Sequence, residues 1–139
     1  MEIAEAMKFI SASHGGVLVT QRRDGRPQLS NISYGVVDGV IKISITAGRA
    51  KYHNLQRDSR ASMHVTSDDF WAYAVVDGDA EMSAVATKPD DPGVEELIEL
   101  YRAIIGEHPD WDDYRRAMVD DKRVVLRLRP THAYGMLNR

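Results

Sequence analysis

Asp–Gly pairs at 24–25, 38–39 and 77–78 cut the first 85 residues of this chain into short runs. Such a pair between alternating apolar segments is a hairpin signal, because a tight two-residue turn needs backbone that Asp and Gly tolerate. The runs between the pairs read as strands. Residues 17–20 form a buried strand and residues 27–37 a second. In residues 40–46, Ile41, Ile43 and Ile45 take one face and Lys42, Ser44 and Thr46 the other. Ala61, Met63 and Val65 alternate with Ser62, His64 and Thr66. A further strand runs over 70–76 and resumes after Asp77–Gly78 over 79–85. Residues 123–129 and a last strand ending near Tyr134–Gly135 close the chain.

Helical segments appear in four places. Ile3, Ala6, Met7 and Ile10 form an amphipathic stripe, and residues 50–57 form a short helix after Gly48. Val94, Leu97, Ile98, Tyr101, Ile104 and Ile105 form a long stripe ending at Gly106. Asp110 caps another helix carrying Trp111, Tyr114 and Met118. Hairpin-linked strands in this order predict an α+β fold, mainly β: an antiparallel sheet closed into a barrel with peripheral helices. At 139 residues there is room for one domain, spanning 1–139.

Composition narrows the function classes. With 43% hydrophobic and 28% charged residues the balance is that of a soluble globular chain. No apolar run approaches the roughly 18 residues of a membrane span, and the first residues show no secretory pattern. A cytoplasmic protein without membrane contact is expected. The absence of cysteine excludes disulfides, thiolate metal sites and cysteine nucleophiles. The five histidines never fall at metal-ligand spacing, so no metal is expected. Net charge is −3, but residues 21–60 hold eight Lys or Arg against three Asp, whereas residues 90–121 hold eleven acids against three Arg. That balance does not suit nucleic acid; it leaves room for a small anionic ligand on the basic half.

The strand–glycine–helix passage from Ile43 to Leu55 is the most informative stretch. Arg49 and Lys51 stand where the helix begins, the end at which the macrodipole disfavours cations by about 0.3–1 kcal/mol each. A phosphate among them would explain the placement, with free backbone N–H groups and the Ser44 and Thr46 hydroxyls as further donors. Two long side chains extending into water would fit equally. Gln28 and Ser30 share one face of the second strand, Leu29 and Asn31 the other. They could bond the polar edge of a heterocycle or be solvated edge residues. Trp71 and Tyr73, two apart, suit a ligand wall, a subunit interface or a core. No acid–base pair declares itself, and no catalytic residue is named.

The blocks 24–31, Gly48-Arg49-Ala50-Lys51 through Asn54-Leu55, and 71–74 resemble the split-barrel flavin and deazaflavin oxidoreductases of the pyridoxamine-5′-phosphate-oxidase-like superfamily. Residues 101–119, with Gly106-Glu107-His108 and Trp111-Asp112-Asp113-Tyr114-Arg115, resemble its actinobacterial branch that uses coenzyme F420. The resemblance implies a six-stranded split barrel and a homodimer with cofactor at the interface. By position, Arg49 and Lys51 would hold the cofactor phosphate with Ser44 and Asn54. Gln28, Ser30 and Asn31 would line the ring and ribityl region, and Trp71 and Tyr73 would come from the partner subunit. The oxidases that name the superfamily end in an arginine-containing substrate-phosphate motif. This chain ends in residues 132–139, His-Ala-Tyr-Gly-Met-Leu-Asn-Arg, which departs from it. The implied activity is F420-dependent hydride transfer to a small unsaturated substrate. FMN in place of F420 is the nearest alternative, and a non-catalytic cofactor- or haem-binding barrel the next. The basic surplus of Arg22, Arg23, Arg26 and Arg57 would suit the carboxylates of an F420 tail.

Overall fold

A computed structural model describes residues 1–138. In chain order the elements are α1 (Ile3–Ser11), β1 (Gly15–Gln21), β2 (Pro27–Ser33), β3 (Gly35–Val37), β4 (Val40–Thr46), α2 (Ala50–Arg57), β5 (Arg60–Thr66), β6 (Tyr73–Met82), α3 (Pro92–Ile104), α4 (Trp111–Asp120) and β7 (Arg123–Met136). The strands form one antiparallel sheet in the order β2-β1-β5-β6-β7-β4-β3. Its two edge strands, β2 and β3, are separated in sequence by Tyr34 alone. The sheet must therefore curl until its edges meet, yet among the described residues no ladder joins them. The result is a split barrel, and the split runs between β2 and the β3–β4 hairpin.

Tyr34 makes the break. Its ring is fully buried, its hydroxyl donates to the Ile10 carbonyl at 2.6 Å, and its backbone N–H donates to the His14 carbonyl at 2.9 Å. This pin turns the expected strand over 27–37 into two strands with different partners, so there are seven strands rather than six. Three other boundaries differ from the sequence pattern. Asp77–Gly78 does not interrupt a strand but forms a bulge within β6. A Cβ at Gly78 would sit 2.3 Å from the Arg129 carbonyl oxygen, so the glycine serves the close approach of β7. The two closing strands are one, β7. Phe70, Trp71 and Ala72 belong to the turn ahead of β6.

The barrel interior is filled by the faces that alternation marks: Leu18, Ile41, Ile43, Ile45, Met63, Val65, Leu126 and Leu128, capped by Ala6 and Ile10 of α1. Each such side chain contributes roughly 1.5–3 kcal/mol on burial. A second core lies outside the barrel, where Val94, Leu97 and Ile98 of α3 and Tyr114 and Met118 of α4 cover Val125 of β7. Glu96 ties this layer down. Its carboxylate accepts from Arg127 Nε at 2.7 Å and pairs with Lys42 Nζ at 3.1 Å. The α3–α4 pair is thus held against the outer face of β4 and β7, the face that carries Ser44 and Thr46.

Candidate functional site

Gly48, at φ +96°, turns the chain out of β4 and sets Arg49 as the first residue before α2. No side chain caps this helix. Its first-turn N–H groups lack intrahelical acceptors, as in any helix. Beside this end lies a cavity of about 480 Å³ opening at the split of the barrel. Asn31 and Ser33 of β2 form one lip, and Ser44 and Thr46 of β4 the other. Arg49, Lys51 and Arg123 gather at one end. Leu100, Tyr101, Ile104 and Ile105 of the α3 segment, with Tyr114 and Met118 of α4, wall the rest.

Three cations share this end. Register places Arg123 directly across from Thr46 on the neighbouring strand. Among the described residues, the carboxylate in ion-pair range of the three is Asp121, 3.8 Å from Arg123 Nε. Burial pushes the Lys51 ammonium below its usual pKa, and repulsion from Arg49 and Arg123 pushes it the same way. The cavity end is therefore positive and short of counter-charge.

The opposite wall is built on a cluster of packed rings. Tyr101 meets Tyr114 at 5.1 Å, His108 at 5.2 Å and Trp111 at 5.6 Å between ring centroids. The Arg102 guanidinium lies 4.8 Å over the Trp111 ring, and Glu107 accepts from both Trp111 Nε1 and Arg102 Nε. Tyr114 donates to the Leu97 carbonyl at 3.1 Å, and burial pushes its phenol up to about 12. Asp110 caps α4 by accepting from the Asp113 N–H, as its position before Trp111 predicts.

Of the residues singled out by sequence, Asn31, Ser44, Thr46, Arg49 and Lys51 line this cavity together. Gln28 and Ser30 lie on the other face of β2. Asn54 is buried in the contact between α2 and β1, where its amide donates to Thr20 Oγ1 at 3.1 Å and its carbonyl accepts from Arg57. Trp71 and Tyr73 line a separate hollow with His64, Phe70 and Met136. Arg22 is paired with Asp24, and Arg57 also donates to the Gln21 carbonyl. Ser33 and Arg123 belong to the cavity without having stood out in sequence. Ser33 follows Asn31 at strand period and could have been read. Arg123 reaches the site only through the β4–β7 pairing.

The family model described as pyridoxamine 5′-phosphate oxidase matches residues 3–137. The chain belongs to the pyridoxamine 5′-phosphate oxidase family. Among solved structures of this fold, the conserved hypothetical protein Rv2991 of Mycobacterium tuberculosis is 28% identical with a TM-score of 0.76, covering 100% of this chain and 86% of that one. An F420 reductase is 27% identical with a TM-score of 0.64, covering 87% of this chain and 89% of that one. The haem storage protein HutZ of Vibrio cholerae, at 15% identity and a TM-score of 0.70 over 98% of this chain and 96% of that one, shares the fold. Membership in the family accounts for the split barrel. Among the described residues, no helix is long and apolar enough to cross a membrane.

Proposed function

We propose that this chain is a cytoplasmic oxidoreductase that binds coenzyme F420 and reduces a small unsaturated organic substrate. The observation that carries the reading is the meeting of Arg49 and Lys51 at the split of the barrel, short of counter-charge, beside the hydroxyls of Ser44 and Thr46. A phosphate fits such a donor set. It neutralises the ammonium that burial and like charge disfavour, and it takes the free N–H groups of α2. The F420 reductase at 27% identity supports the choice of cofactor.

Bound there, the cofactor would supply hydride chemistry through its ring; the protein supplies position and electrostatics. Arg49 and Lys51 anchor the phosphate end. Asn31 and Ser33 offer an amide and a hydroxyl to the polar edge of the ring. Tyr101 and Ile104 of α3, with Ile105 just after it, would wall the ring and exclude water. Holding two reactants in near-attack geometry contributes several kcal/mol by itself, about 7–11 at the upper end. The site is completed by a second copy of the chain, whose Trp71 and Tyr73 cover the ring.

FMN is the second reading, favoured by the same phosphate anchor. The two cofactors differ beyond the phosphate, where F420 carries carboxylates. Arg23 and Arg26 remain outside the ion pairs of the β1–β2 hairpin, and Arg26, just before β2, stands roughly 17 Å from Asn31 at the ordinary strand rise. Titration of the purified protein with each cofactor, at low and high salt, separates the readings. F420 should bind more tightly and lose affinity more steeply with salt, because exposed charges are screened. Tighter binding of FMN, or equal salt dependence, would put the flavin reading in its place.

A further inference from the structure

Arg123 is the cavity residue that the phosphate anchor described above does not use. The residue is held at two points. Nη1 donates to the Ser44 carbonyl at 3.4 Å, and the backbone is held by the β4–β7 ladder opposite Thr46. Its Nε is buried and has no hydrogen-bond partner; among the described residues it is the buried side-chain nitrogen or oxygen left in that state. Asp121, at 3.8 Å, is too far to accept from it. A buried donor left unmade is costly, so such an atom calls for a partner that the free chain does not contain.

The neighbours say what kind of partner. Arg49 and Lys51 face the same space, so a cationic or neutral group would not relieve the site. Arg49 precedes α2 and Lys51 sits in its first turn, whereas Arg123 opens β7, across from Thr46 at the end of β4. Guanidinium presents paired N–H donors in a plane, a geometry matched to two oxygens of one phosphate and poorly mimicked by an ammonium.

We infer that Arg123 is the residue that recognises the phosphate as a phosphate: its guanidinium fork binds two oxygens of the group that Arg49 and Lys51 attract, and it sets the preference for phosphorylated over dephosphorylated cofactor. Arg49 and Lys51 supply charge at the mouth, and Arg123 supplies geometry at the floor. The assignment rests on the phosphate reading of this cavity, and it predicts something that reading does not: a selectivity carried by one strand residue far from the helix-start motif.

The test compares matched ligand pairs on the full chain: FMN with riboflavin, and F420 with its phosphate-free deazaflavin core. In R123Q, affinity for the phosphorylated member should fall at least tenfold while the phosphate-free member binds as in the wild type. R123K keeps the charge but not the fork, and should recover less than half of that loss on a logarithmic scale. Wild-type affinity of R123Q for the phosphorylated ligands would overturn the inference, as would an equal loss for both members of a pair, which marks a merely structural residue. Circular dichroism and thermal melting of R123Q identify a folding defect, and R123K then decides by the same ratio. If the wild type takes neither flavin nor deazaflavin, the cofactor reading fails separately. Pyrophosphate is then the probe: loss of its binding in both R123Q and R123K upholds the role of Arg123, and unchanged binding in either overturns it.

Discussion

Burial and two neighbouring cations disfavour the charged form of Lys51 in the ligand-free fold. Its folded pKa lies below 10.5, with burial the first cause and the neighbouring cations the second. At neutral pH both folded and unfolded chains carry the proton, so the whole penalty is present. As pH rises through the depressed value toward 10.5 the unfolded chain binds more protons, and stability increases. Above pH 10 the sign reverses, because Tyr34 and Tyr114, pushed up to about 12 by burial, stay protonated only when folded. Replacing Lys51 by Met should therefore raise the melting temperature of the ligand-free protein at neutral pH and weaken cofactor binding at the same time. Calorimetry with and without ligand checks both. A variant that melts earlier when ligand-free would show that Lys51 is there for packing. At this scale the helix-start cations were legible because Ser44, Thr46, Arg49 and Lys51 lie within one local strand–turn–helix. Arg123 was not, since 79 residues separate it from Ser44 and only a long-range register joins them. Asn54 sat in the right motif yet bonds Thr20, a contact that spacing does not announce.

At the scale of elements, the wall of the cavity depends on how α3 is fastened. Glu96 stands between Lys42 and Arg127, with all three side chains largely shielded from water. Glu96→Ala removes the acid that the two shielded cations share, leaving Lys42 with Glu99 at 3.7 Å and Arg127 with Glu81. It should destabilise the fold by about 2–4 kcal/mol in urea denaturation, with Glu96→Gln losing less. Cofactor affinity should fall in parallel, because Leu100, Ile104 and Tyr101 ride on the same helix. A destabilised variant with unchanged affinity would separate the wall from the site. The helices themselves were plain in sequence, since their apolar stripes keep helical period. The strands were plain in their middles and misleading at their ends. Asp77–Gly78 carries a turn signature, but the near contact of Gly78 with Arg129 belongs to the pairing of β6 with β7 and not to a turn. Tyr34 looks like any strand residue until its hydroxyl is seen on the Ile10 carbonyl.

At the scale of the whole molecule, one surface is apolar without being covered. Phe70 is 81% exposed and Trp71 61%, and Met136 lines the same hollow. Phe70 also holds φ at +71°, a strained conformation for an aromatic residue. The turn that presents these rings is braced by Ser67 Oγ, which donates to Asp69 and accepts from the Ala72 N–H. Aromatics on an exposed face suit an interface between subunits. A homodimer is expected, and Phe70→Ser with Trp71→Ser should shift it toward monomer in sedimentation and weaken cofactor binding together. Monomer that binds at full affinity would contradict a shared site. The central claim is narrower, that Arg49 and Lys51 hold a cofactor phosphate at the split of the barrel. It is tested most directly by equilibrium binding of F420 to the wild type and to the Arg49→Ala, Lys51→Ala double variant. The account predicts saturable binding of one F420 per protomer that weakens at least about tenfold when both cations are removed, with the fold intact. Equal affinity in the folded double variant would contradict it.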